Sequence, residues 1–266
     1  MDSNSPKILV LSDLKDTMNS TVKSAVSLAK IINGNLHVFH VKKPTEIVEQ
    51  ESQLSAMRSI NQSYISISKE MKGLIEPLAK DYDVAISCNH VVGHIKTEIL
   101  GCIASYNPDI IVMGKRKKSI SLLGDAVTDL VIDNFNGTIM IASEDKGLEP
   151  NSMVSLGVLN NARSNFNMRF AEQLLEHSKK PFKTFKTQID TEENSKDDSV
   201  NLVFDHGRNP IQNMSNYLTK SDVNLLCLSR SANNSKAKAD MKNVINQVNV
   251  SLLISERQGL YKSSVI

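Results

Sequence analysis

The chain has no tryptophan, and phenylalanine, tyrosine and tryptophan together make up 5% of its 266 residues. That removes most of the stacking platforms on which single-strand nucleic-acid binders rely. Charge of one sign is also scarce: 31 basic residues stand against 29 acidic ones, net +2. A dedicated nucleic-acid or membrane-surface protein would carry a stronger basic bias. No apolar run approaches the roughly 18–20 residues that cross a bilayer. The first residues, MDSNSPK, are polar, so we expect neither membrane insertion nor export and place the chain in the cytoplasm. Cysteine is limited to Cys88, Cys102 and Cys227, widely spaced and odd in number. They form no CxxC pair and no disulfide framework, and read as reduced core thiols.

What is present is an alternation of strands and helices. "KILVLSDL" (7–14) is a short apolar run that reads as a buried strand. Val22, Ala25, Val26, Ala29 and Ile32 follow at helical spacing, with Asn19 or Ser20 as the expected cap and Asn33-Gly34 as the stop. "NLHVFHV" (35–41) is the second strand, and a long, mostly polar helix is predicted over 54–80. "VAISCNHVV" (84–92), "DIIVMG" (109–114) and "GTIMIAS" (137–143) are further strands. Between them, Ile95, Ile99, Cys102 and Ile103 mark one helix, and Leu123, Ala126, Val127, Leu130 and Val131 another. This is the pattern of an α/β fold with a mainly parallel sheet covered on both faces. Ligands of such sheets sit at the carboxyl ends of the strands, where the strand order switches. Asp13, Val41, Gly93 and Gly114 fall there.

After a polar stretch that reads as a linker, "SEDKGLEPNS" (143–152), the pattern restarts. "MVSLGVL" (153–159) resembles the first strand, and "NMRFAEQLLEH" (167–177) the first helix. "SVNLVFDHGRNPI", "VNLLCLSRS" and "NVINQVNVSLLIS" match the segments beginning at 86, 108 and 130. Ala25 aligns with Ala171, a shift of 146, whereas His94 aligns with His206, a shift of 112, so the second copy is 34 residues shorter in between. The long helix has no counterpart, and "TQIDTEENSKDD" (187–198) reads as a loop in its place. Two domains are expected, 1–146 and 147–266.

The order KILVLSDL, AVSLAKIINGNLHVFHV, PDIIVMG, LLGDAVTDLVI and GTIMIAS resembles the universal stress protein family over nearly all of 7–143, and more weakly over 153–255. The resemblance implies a tandem pair of Rossmann-like domains of the adenine nucleotide alpha hydrolase-like type. Each would have a five-stranded, mainly parallel sheet, and the two would pair through their last strands. It also implies a role in stress response, with ATP and Mg²⁺ as the ligands of those members that bind nucleotide. The family's motif is G-x2-G-x9-G-[ST], whose glycines let main-chain N–H groups approach phosphates. Gly114 matches the first glycine, Lys117 stands at the second, and Gly124-Asp125 replaces the last pair after a spacing of 10 rather than 13. Lys115, Arg116, Lys117 and Lys118 attract anions, while Asp125 repels a phosphate. The resemblance places Asp13 and the main chain of Val41 at the nucleoside, and Gly114, Lys115, Arg116, Lys117, Gly124 and Asp125 at the phosphates. The second copy has Leu159 for Asp13 and Ser229 for Gly114, so its expected role is structural.

The other readings stay beside these. The basic run also reads as a solvated loop, Asp13 as a turn residue, and His94 and His206 as helix-start residues. His37 and His40, three apart, face opposite sides of one strand. Met57, Met71, Met113, Met140, Met168, Met214 and Met241 read as core. No Ser–His–Asp or Cys–His arrangement, G-x-S-x-G elbow or GxxxxGK[ST] loop occurs, so no catalysis and no metal are expected. The alternatives to a nucleotide-binding regulator are a protein-interaction module without nucleotide, with a homodimer or an unknown protein as partner, and a slow ATPase.

Overall fold

A computed structural model describes residues 5–14, 17–47, 53–115, 126–160, 170–187, 199–204, 209–230 and 235–257. The first half holds β1 (Lys7–Ser12), α1 (Met18–Ile32), β2 (Asn35–Lys42), α2 (Gln53–Tyr82), β3 (Ile86–Val92), α3 (Ile95–Tyr106), β4 (Ile110–Gly114), α4 (Ala126–Asn134) and β5 (Thr138–Ala142). The second holds β6 (Leu156–Leu159), α5 (Ala171–Glu176), β7 (Phe182–Lys186), β8 (Ser199–Val203), α6 (Pro210–Lys220), β9 (Leu225–Leu228), α7 (Ser235–Gln247) and β10 (Ser251–Ile254).

The strands form one ten-stranded sheet in the order β3-β2-β1-β4-β5-β10-β9-β6-β7-β8. Every neighbouring pair is parallel except β5 with β10, which run antiparallel with Met140 opposite Leu253. Each half therefore has the order 3-2-1-4-5, and the two mirror each other across their last strands. The central strands are buried on both faces, which is why KILVLS, IIVMG and TIMIA read as continuous apolar runs. One core packs α1, α2 and α5 on one face of the sheet, and a second packs α3, α4, α6 and α7 on the other.

Local chemistry sets the boundaries. Asn33 and Asn107 end α1 and α3 in the left-handed region, with φ of 52° and 49°. The start of α1 differs from the sequence expectation. Thr17, not Asn19 or Ser20, holds the N-cap position and makes no side-chain cap, while Ser20 lies in the first turn and bonds back to the Thr17 carbonyl at 2.9 Å. His94 is the N-cap residue of α3, whereas His206 lies outside the described residues.

Three further expectations are corrected. The polar segment after β5 is packed rather than a free linker: Leu148 is buried, its N–H donates to Ser24 Oγ at 3.0 Å, and Lys146 Nζ donates to the Leu218 and Ser221 carbonyls. Met57 is 63% exposed, because only the later turns of α2 (Ile67, Met71, Ile75, Leu78) reach the core. The segment around "FKTFK" forms β7, which the repeat comparison had passed over. The loop expected over 187–198 falls outside the described residues except for Thr187, as does Met168. Among the described residues no helix is long and apolar enough to cross a membrane.

Candidate functional site

The order 3-2-1-4-5 puts the switch point of the first half between β1 and β4. A cleft opens there, at the carboxyl ends of β1, β2 and β4. The space between its walls is about 650 Å³ with the open solvent at its mouth included. The strands contribute Leu11, Ser12 and Asp13 from the end of β1, Phe39 and Val41 from β2, and Met113 and Gly114 from β4. Ile95 and Ile99 of α3 and Val127 of α4 wall one side; Thr17, Met18 and Thr21 at the start of α1 wall the other.

Strand lengths shape the cleft. The β1–β2 ladder stops at Ser12 opposite His40, while β2 continues beside β3 to Lys42 opposite Val92. The last residues of β2, Val41 included, thus overhang β1 at the head of the cleft. Beyond β1, Leu14 takes a φ of 54°, and its N–H donates to Ser12 Oγ at 3.1 Å, turning the chain over the site. Gly114 faces α1 at close range: a Cβ there would lie 2.5 Å from Thr21 Oγ1 and 3.0 Å from Thr17 Oγ1. The packing of α1 on β4 therefore requires the glycine, whatever the ligand. Thr21 Oγ1 donates to the Thr17 carbonyl at 2.7 Å.

Of the residues expected from sequence, Asp13, Val41 and Gly114 come together in this cleft. Lys115 does not join them. Its N–H donates to the Ala142 carbonyl at 2.7 Å, and its Nζ donates to the Val248 carbonyl in the other half, across the β5–β10 seam. Arg116, Lys117, Gly124 and Asp125 lie outside the described residues. Ser12, Thr17, Thr21, Phe39, Ile95 and Ile99 were not anticipated. A spacing of four between Thr17 and Thr21, directly after the first strand, was the available signal for the two hydroxyls. Asp13 is the one ionisable side chain among the described lining residues.

Next to the cleft, on the other face of the sheet, lie two buried imidazoles. His40 and His90 are register partners on β2 and β3. His40 Nδ1 meets the Ser12 carbonyl at 2.8 Å, and the Nε2 atoms of both rings have no hydrogen-bond partner among the described residues. Burial pulls both pKa values below the ordinary histidine value, so both rings are neutral near pH 7. Tyr64 of α2 covers His90 with ring centroids 4.1 Å apart. His37, on the opposite face, stacks on Tyr106, as the spacing of the two histidines in β2 requires. No group of three or more His, Cys, Asp or Glu residues able to hold a metal occurs among the described residues.

Residues 5–142 match the Universal stress protein family. This is just over half of the 266 residues and includes every strand of the first half. The chain belongs to the universal stress protein family. Among solved structures it is similar to a universal stress protein from Archaeoglobus fulgidus, with 13% identity and a TM-score of 0.68 over 94% of this chain and 96% of that one. It is also similar to a protein of unknown function from Pseudomonas aeruginosa, with 11% identity and a TM-score of 0.56 over 96% of this chain and 93% of that one. A universal stress protein solved in complex with cAMP matches 52% of this chain and 96% of its own, at 17% identity and a TM-score of 0.40. No curated protein matches this universal stress protein in sequence.

Proposed function

We propose that this universal stress protein is a binding and regulatory module whose first half, residues 1–146, holds an adenine nucleotide in the switch-point cleft. In this reading the second half, residues 147–266, completes the sheet. One observation carries it: Asp13, Val41 and Gly114, distant in sequence, line a single cleft at the carboxyl ends of β1, β2 and β4. An apolar slot between Phe39, Ile95 and Ile99 suits a flat base, and Asp13 with the hydroxyls of Ser12 and Thr17 suits a sugar. The protein is read as a binder rather than a catalyst. Calorimetric titration of the full chain with adenine nucleotides tests the reading. Heat at micromolar to millimolar ligand is expected, lost in Asp13→Ala. No heat and no thermal shift at millimolar ligand would remove it.

The second reading, a protein-interaction module, has its own observation. The early turns of α2 carry Leu54, Met57, Tyr64 and Ile65, each at least half exposed. Replacing Leu54, Met57 and Ile65 by Ser separates the two. Under the nucleotide reading binding is unchanged, whereas a module working through α2 loses its association.

A further inference from the structure

We infer that Arg230 and Arg257 of the second half are positioning residues for the cleft of the first. They fasten the carboxyl end of α4, whose amino end walls that cleft. This rests on the adenine-nucleotide reading above and gives the second half a task in binding as well as in the sheet.

The observation is a set of carbonyls. The last four carbonyls of an α-helix have no partner within the helix, and the negative end of its dipole lies there. The last turn of α4 has no basic residue of its own. The second half supplies one. Arg257 Nη2 donates to the Ile132 carbonyl at 2.8 Å and to the Asp133 carbonyl at 2.9 Å. Its main-chain N–H donates to the Asn136 carbonyl at 3.0 Å. Arg230 donates to the Phe135 carbonyl at 2.5 Å and to the Gly137 carbonyl at 2.7 Å. Five of the six carbonyls from Ile132 to Gly137 are thus held by two arginines from across the β5–β10 seam.

The same device runs in the other direction, so it belongs to the fold. Ile110 of β4 and Leu225 of β9 hold equivalent places, beside Ile8 of β1 and Leu156 of β6. Lys115 is therefore matched by Arg230. Thr138 and Ser251 are equivalent as the partners of Ile110 and Leu225. Phe135 is then matched by Val248, and each N–H bonds back four residues, to Val131 and Val244. Lys115 donates to the Val248 carbonyl, and Ser143 Oγ to the Asn249 carbonyl at 2.8 Å. The helix that ends there, α7, also has no basic residue in its last turn. Each half provides the cation for the helix that ends at the seam in the other.

In the first half this fastening reaches the ligand site. The nine residues of α4 make a rod about 13 Å long. Val127, near its amino end, lines the cleft with Ile95 and Ile99 of α3. Val131 and Ile132, nearer the seam, are buried. A rod this short moves as one piece, so freeing its carboxyl end displaces Val127. Ligand then binds only the fraction of molecules whose wall is seated.

The test is calorimetry of the full chain with AMP and MgATP, joined to hydrogen exchange. Arg257 is the residue to vary, because it is partly exposed whereas Arg230 is buried. Arg257→Met should weaken AMP about tenfold, and Arg257→Lys, which keeps a cation at the helix end, should recover most of that. Ile75→Ala, buried on the opposite face of the sheet, loses stability without touching α4 and should bind AMP as wild type does. Binding that needs a seated α4 must in turn steady it. AMP should therefore slow exchange of the Phe135 amide, which donates to the Val131 carbonyl, in wild type and not in Arg257→Met. Arg257→Met binding as tightly as wild type, or Ile75→Ala weakening AMP as much as Arg257→Met, overturns this inference and leaves the adenine-nucleotide reading standing. Wild type binding neither AMP nor MgATP overturns both.

Discussion

The deepest consequence of the mirrored sheet is that one side chain of the second half should hold the first. Arg230 is 4% exposed, and its guanidinium donates to the carbonyls of Phe135 and Gly137 across the seam. Burial, with a smaller contribution from Arg257, pulls its pKa down to about 10, still well above neutral, so the group is charged. Arg230→Ala leaves two buried carbonyls without donors, at about 1–3 kcal/mol each, and loses the packing of the stem. Relief of the desolvation penalty on the buried cation opposes this. The net expectation is a loss of about 3 kcal/mol. Lys115 makes the matching contact in the opposite direction across the seam, from a less buried place. Lys115→Met should therefore cost about 1 kcal/mol. Arg230→Lys should fall between, since an ammonium lacks the fork that reaches two carbonyls. Urea unfolding followed by circular dichroism reads all three as shifts in midpoint at constant slope. An Arg230→Ala midpoint indistinguishable from wild type, or Lys115→Met costing more than Arg230→Ala, would refute the reasoning.

Other perturbations have equally definite signs. His40 and His90 are neutral in the fold, with pKa values lowered chiefly by burial and, for His40, opposed by the Ser12 carbonyl. The unfolded chain then binds more protons below roughly pH 6.5, so stability is full above that pH and falls as the pH drops toward the folded-state values. Urea midpoints measured across this range should slope downward in acid for wild type and less steeply for His40→Gln. Gly114→Ala drives a Cβ to 2.5 Å from Thr21 Oγ1, a buried hydroxyl already bonded to the Thr17 carbonyl. It should cost about 1–3 kcal/mol in a urea melt and weaken ligand binding in the same cleft. In α2, Ile75→Ala should cost about 2–5 kcal/mol, because Ile75 is buried against the core. Leu54→Ser, at an exposed site, should stay within about 0.5 kcal/mol; a comparable loss from both would mean the first turns of α2 are covered.

Legibility in the sequence follows burial. Strands buried on both faces announce themselves as unbroken apolar runs, and β1, β4 and β5 were readable for that reason. β7 was not, because the second half has no counterpart of α2 among the described residues. One face of its outer strands is accordingly open to solvent: Thr184 pairs with exposed Asn201, and Lys186 with exposed Val203. Phe182 and Phe185 are then left three apart on opposite faces, a spacing that fits a helix and breaks the strand period. The site divided in a similar way. Asp13, Val41 and Gly114 were accessible through strand ends and the family's pattern, whereas Thr17 and Thr21 depend on how closely α1 approaches Gly114, which their spacing of four does not by itself encode. Lys115 shows the limit most clearly. A sequence displays a charge but not its direction, and four successive basic residues after a glycine look alike whether they face a phosphate or a seam. Yet the repeat held the missing information. Arg230 stands at the same offset after a strand that has Ser229 where the first half has Gly114, and where no nucleotide was expected. A cation retained where the ligand site is gone has to be explained by something other than the ligand, and the Phe135 and Val248 carbonyls supply that explanation for both halves.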